Sequence, residues 1–213
     1  MGSDEAAVML GKRGGEAALL KSHCPHLVEV HCVAHRLALA IVDVAKKSPD
    51  VSSYESMLNI LTTYFRRSPK QLSQLRQDIL DQPKVKPPEV HRVRWLSMTQ
   101  AIDNIIKTLP ALLKMLEDQA ENDITASPLY EYLKTYRFMF MTAFLQDLFT
   151  GIGILSRGLQ SRDLNYEKMT MLVHSFILSL KSTYLVDSPE YGPKLGLFYV
   201  KLETHTCRTW DKY

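Results

Sequence analysis

Cysteine is scarce in this chain, with three among 213 residues, at positions 24, 32 and 207. So sparse and odd a set excludes the disulfide framework of a small secreted domain and points to a reducing compartment. No Asn-x-Ser/Thr sequon occurs, and the opening Met1-Gly2-Ser3-Asp4-Glu5-Ala6 is acidic without an apolar stretch, unlike a secretory signal. Gly2 would suit myristoylation, but position 6 is Ala rather than Ser or Thr. Long apolar runs are missing too. The richest window, Phe138 to Leu155, is interrupted by Gln146 and Asp147 and reads as a buried helix rather than a membrane span. There is no P-loop, no nucleophile elbow and no dinucleotide fingerprint; Gly151-Ile152-Gly153 lies inside a helical pattern and follows no strand.

Strands are almost absent. Only Leu27-Val28-Glu29-Val30-His31 alternates apolar and polar residues with the period of a half-buried strand. No second convincing strand is evident, and a lone strand cannot satisfy its own backbone groups. It is therefore expected to join a sheet that this chain does not supply.

What remains is helical. An apolar fraction of 46% and a charged fraction of 23% suit a folded core of one medium or two small domains. Short helical pieces are expected over 4–10 and 15–22, broken at Gly11 and Gly14-Gly15. Leu37, Ile41 and Val44 mark a helix over 33–47, stopped by Ser48-Pro49-Asp50. Further helices are expected over 52–66, 69–81, 95–116 with a kink at Pro110, 128–155, 169–185 and 195–204. Residues 82–91, with three prolines, read as a loop, and 118–127 as a polar connector. The fold class is mainly α.

Charge is unevenly placed. The whole chain carries +3, whereas residues 66–95 hold eight Lys/Arg against three acids, a net of +5, leaving the remainder slightly acidic. A local basic cluster is the electrostatic footprint of a nucleic-acid partner. Within it lie Lys84, Lys86, Arg92, Arg94 and Trp95. Arg94 could pair with a phosphate and Trp95 could stack on an unpaired base. Equally, Trp95 could anchor a helix start in the core with solvated arginines around it.

Cysteine and histidine cluster in one place. Cys24, His26, His31, Cys32 and His35 fall within twelve residues, with His23 beside them. The spacing Cys-x-His followed by Cys-x-x-His fits no common zinc finger, and His31 and Cys32, if both are on a strand, point to opposite faces. Cys32 and His35 stay open to three readings: half a metal site, part of a phosphoryl-transfer centre, or a buried strand-to-helix junction. Asp4 is by itself an ordinary acid near a helix start, and two-metal chemistry needs several carboxylates from separate segments.

Taken in order, four landmarks resemble the hAT transposase superfamily, especially its domesticated vertebrate zinc-finger-protein relatives. Ser3-Asp4-Glu5-Ala6-Ala7-Val8-Met9-Leu10-Gly11-Lys12 resembles the segment at the second catalytic aspartate. His31-Cys32-Val33-Ala34-His35-Arg36-Leu37 resembles the C-x-x-H element, Arg94-Trp95-Leu96-Ser97 the R-W motif, and Leu159-Gln160 an element of the helical insertion domain. The resemblance implies a remnant of a ribonuclease-H-like α/β core over 1–48, one strand plus helices, followed by a helical insertion domain over 49–213. It implies that Asp4 is the second metal-binding aspartate, that His35 lies near that centre, and that Arg94 and Trp95 contact DNA, with Trp95 handling a flipped base.

The departures shape the functional expectation. The family's first aspartate would precede residue 1, its glutamate and dimerisation region would follow the insertion, and Glu5 stands where the family has Gly. One acid of three cannot hold a catalytic metal pair, so the chain is expected to have no transposase activity and no cofactor. Divalent Mg or Mn would enter only with a complete active site. The expected role is nuclear, on DNA or another nucleic acid, away from membranes. A fragment of an active transposase and an α-helical protein-interaction scaffold are the alternatives.

Overall fold

Ser48 ends one helix and begins the next. The run Val33–Lys47 (α2) closes with Lys46 and Lys47 in its last turn, favourable beside the helix carbonyls. Ser48 then turns extended, its Oγ accepts the N–H of Val51 at 3.4 Å, and Pro49 opens Pro49–Arg67 (α3) at a position where a missing N–H costs nothing. In the computed structural model the described residues are 2–3, 9, 11, 14–28, 30–68, 73, 95–187 and 189–204. Their helices are Glu16–His23 (α1), α2, α3, Trp95–Gln119 (α4), Ala126–Leu133 (α5), Tyr136–Leu159 (α6), Tyr166–Tyr184 (α7) and Pro193–Thr204 (α8). The molecule is mainly helical. The expected helix over 69–81 and the loop over 82–91 fall outside the described residues, apart from Ser73.

α6 is the centre of the bundle. The helices α2, α3, α4, α5, α7 and α8 all pack against it, and ten of its residues are buried, among them Phe138, Leu145, Phe149 and Ile152. By length and composition α6 would also suit a membrane span; here six helices pack against it. The core joins Tyr54, Leu58, Leu61 and Phe65 of α3 to Ile102, Ile105 and Leu112 of α4 and to the buried face of α6. One polar link runs through it: the Tyr54 hydroxyl meets Thr142 Oγ1 at 2.9 Å, and Thr142 donates to the Phe138 carbonyl at 2.7 Å. Burial pushes the Tyr54 phenol well above its ordinary range, so it stays protonated.

The pattern over 128–155 resolves into two helices. α5 ends at Leu133, and Thr135 turns extended so that its Oγ1 accepts the Phe138 N–H at 3.2 Å and starts α6. The apolar period continues across this break, which is why the sequence reads as one element. α4 runs through Pro110 to Gln119, and α7 begins at Tyr166, three residues before the expected start, where Asn165 caps it by accepting the Lys168 N–H at 2.8 Å.

α8 docks on an aromatic face of α6. Tyr136, Phe140 and Phe144 recur every four residues there, and Phe198, Tyr199 and Tyr184 meet them with ring centroids 5.3–6.3 Å apart. Asp147 fixes the start of α8. Its carboxylate accepts the backbone N–H of Lys194 at 3.0 Å and of Leu195 at 2.9 Å. Gly192 lets the chain come this close, since a Cβ there would sit 2.5 Å from the carboxylate oxygen.

At the N-terminal end the expected strand is shorter than its period, and it has a partner within the chain. Gly2–Ser3 (β1) and Val30–His31 (β2) pair in parallel, Gly2 opposite Val30 and Ser3 opposite His31. The expectation of no second strand is thus corrected. Two residues that include a glycine carry no readable alternation, so β1 is invisible to periodicity. Residues 4–8 of the expected first helix lie outside the described residues, and Met9 is helical.

Candidate functional site

The parallel register sets the geometry at the strand ends. β1 and β2 are joined through α1, so their C-terminal ends lie side by side, Ser3 against His31. In α/β units this edge is where ligands are held. Asp4 follows Ser3 in sequence and lies outside the described residues. Cys32 follows His31 and is the N-cap of α2, with no side-chain capping bond; its carbonyl accepts the Arg36 N–H at 3.0 Å. Cys32 and His35 are both half-buried, and Arg36 is exposed.

The remaining cysteine and histidine candidates do not join them. Cys24 and His26 are exposed. His23 is engaged locally, its Nδ1 lying 3.1 Å from the Leu19 carbonyl and 3.0 Å from Ser22 Oγ. Among the described residues no three His, Cys, Asp or Glu side chains come together as a group that could hold a metal ion. The Cys32-x-x-His35 element thus stands at a strand-to-helix junction, with a thiol and an imidazole one helical turn apart.

The basic segment is described only at its edges. Arg66 and Arg67 end α3, both exposed and neither in an ion pair among the described residues. Arg67 also lines a cavity of about 540 Å³ with Asn59, Thr63, Asp123 and Thr125. At the other edge Trp95 is the first residue of α4. Lys84, Lys86, Arg92 and Arg94 lie outside the described residues, as does the side chain of Trp95.

Two features escape a reading of motifs. Asp147, seen in the sequence only as an interruption of an apolar run, holds the start of α8. The larger feature is an apolar groove of about 860 Å³ between α2, α6 and α7. In the sequence, Leu37, Ile41 and Val44 mark only a helix over 33–47, and 169–185 only another helix; neither says that the two apolar faces leave a groove between them. No protein-family model matches the chain, and no solved structure matches it.

Proposed function

We propose that this chain is a hAT-transposase-derived protein that binds nucleic acid through residues 66–95, acts in the nucleus and has no transposase activity. The observation that carries the reading is the basic cluster, a net of +5 over thirty residues ending in Arg94-Trp95. Arg66 and Arg67, at its described end, are exposed and free of ion pairs among the described residues, and so are open to phosphates. Two further features support the family reading. A strand–helix–strand unit with parallel pairing precedes a helical bundle, the order expected of a ribonuclease-H-like core leading into an insertion domain. The two landmarks of that core, Asp4 and Cys32-x-x-His35, directly follow the paired residues Ser3 and His31 in sequence. On this reading residues 1–48 are the core remnant and 49–213 the insertion domain, and Asp4 is the one family acid matched.

The test is binding of duplex and hairpin DNA across a salt series. Binding at low salt should fall as salt rises, because phosphate contacts release counterions, and Arg94→Ala should reduce the slope of log affinity against log salt by about 1. Trp95→Ala should weaken the hairpin, with its unpaired bases, more than the duplex. Absence of binding at low salt, or indifference to both substitutions, would overturn the proposal. Metal-dependent strand cleavage abolished by Asp4→Asn would favour the transposase reading instead.

A further inference from the structure

α2 and α7 are amphipathic helices that finish folding with their apolar stripes half covered. Neither contains a single buried residue, whereas α6 between them contains ten. α6 forms the floor of the resulting groove, with Ile152 at its middle; Leu37 and Ile41 of α2 form one wall, and Phe176 and Ile177 of α7 the other. Ile177 keeps 43% of its surface exposed, and Val44 on the opposite rim 68%.

Three properties define the occupant. The groove follows α6 from residue 145 to 159, which at the helical rise is about 21 Å, or four turns. It is an open trough between helices rather than an enclosed chamber, the shape into which a further helix packs by its own apolar ridge. Its lining carries one charge, Arg36 in the first turn of α2, which makes no ion pair among the described residues. A cation at the end of an apolar trough, without an ion pair among the described residues, favours an acidic side chain at the matching end of its guest.

We propose that this groove binds an amphipathic helix of a partner protein, about four turns long, with apolar anchors at i, i+4, i+7 and i+11 and an Asp or Glu at the end that meets Arg36. The inference is independent of nucleic-acid binding, which concerns a different segment.

A phage-displayed library of helix-constrained peptides, panned on the full chain with Ile177→Glu as counter-selection, tests it. Ile177 is partly exposed, so its substitution should leave the fold intact, which circular dichroism and the melting temperature verify. The expected result is a consensus of four apolar anchors with one terminal acid. The best peptide should lose at least about tenfold in affinity against Arg36→Glu and regain it when its acid becomes Lys. Methyl resonances of Ile41, Ile152 and Ile177 should shift on binding. Failure to enrich any peptide, enrichment of sequences that bind Ile177→Glu equally, or indifference to Arg36→Glu would overturn the proposal. So would a dimer in sedimentation that Ile177→Glu converts to monomer, since a second copy would then be the occupant.

Discussion

Asp147 lies in the middle of an apolar helix and carries the start of another. Its two carboxylate oxygens take the first free N–H groups of α8, a capping role supplied from 47 and 48 residues away instead of by the residue before the helix. Asp147→Ala should therefore cost about 1–2 kcal/mol, the range for losing a cap or a charged hydrogen-bond acceptor. The loss should be concentrated in α8. Urea unfolding measures the stability change, and limited trypsin digestion should cut at Lys194 earlier in the variant than in the parent. Asp147 was legible in the sequence as a charge within an apolar window, but its partners were not. Nothing in a linear pattern announces a cap that arrives from a different element; even the local cap at Ser48, three residues from its donor Val51, read only as the stop of the helix before it, with the next helix expected from 52.

At the scale of elements, the glycines of α6 show why pattern and packing diverge. Glycine is a poor helix former, yet α6 continues through Gly151, Gly153 and Gly158 to Leu159. Two of them face α7. A Cβ at Gly151 would lie 3.1 Å from the Phe176 ring, and one at Gly158 would lie 3.0 Å from Leu172. Seven residues apart, they form a seam on which α7 rests. Gly153 is different, because a Cβ there would meet only Arg157 at 3.6 Å, an ordinary contact. Gly158→Leu should accordingly destabilise by about 1–3 kcal/mol through overpacking. Gly153→Ala should stabilise by about 0.5–1 kcal/mol by removing backbone entropy. Thermal denaturation of the pair reads both signs, and a shared sign would contradict the seam. Helix existence was largely legible because apolar periods of this length are strong signals. The break at Thr135 was not, since the period runs unbroken from α5 into α6 while the backbone turns.

At the scale of the whole molecule, cohesion is unequal. The core cluster draws on α3, α4, α5 and α6, and its first packed neighbour along the chain is Leu37. Before that, α1 buries only Ala17, and both residues of β2 are exposed. Hydrogen exchange should thus separate the two regions. Amides of Glu16–His23 should exchange through local opening, while those around Leu58, Ile105 and Leu145 should wait for global unfolding. Equal protection across both would show that the N-terminal unit is held by more than these contacts. The candidate site divides along the same line. The strand-to-helix junction at Cys32 and His35 was readable because a period of two gives way to one of 3.6 at that point. Its parallel partner was hidden in two residues. The groove was hidden for another reason: a stripe that is half covered and one that is fully buried look identical in sequence.

The aromatic face beneath α8 also makes the molecule its own optical instrument. Tyr136, Phe140, Phe144, Tyr184, Phe198 and Tyr199 are linked through ring pairs at 5.3–6.3 Å, and Tyr191 stacks on Tyr199 at 4.6 Å. Rings held this closely at fixed angles couple their electronic transitions and give the near-ultraviolet dichroism that fixed tertiary packing produces and mobile packing loses. Because both α6 and α8 contribute rings, that signal reports whether the last described helix is seated, with no label attached.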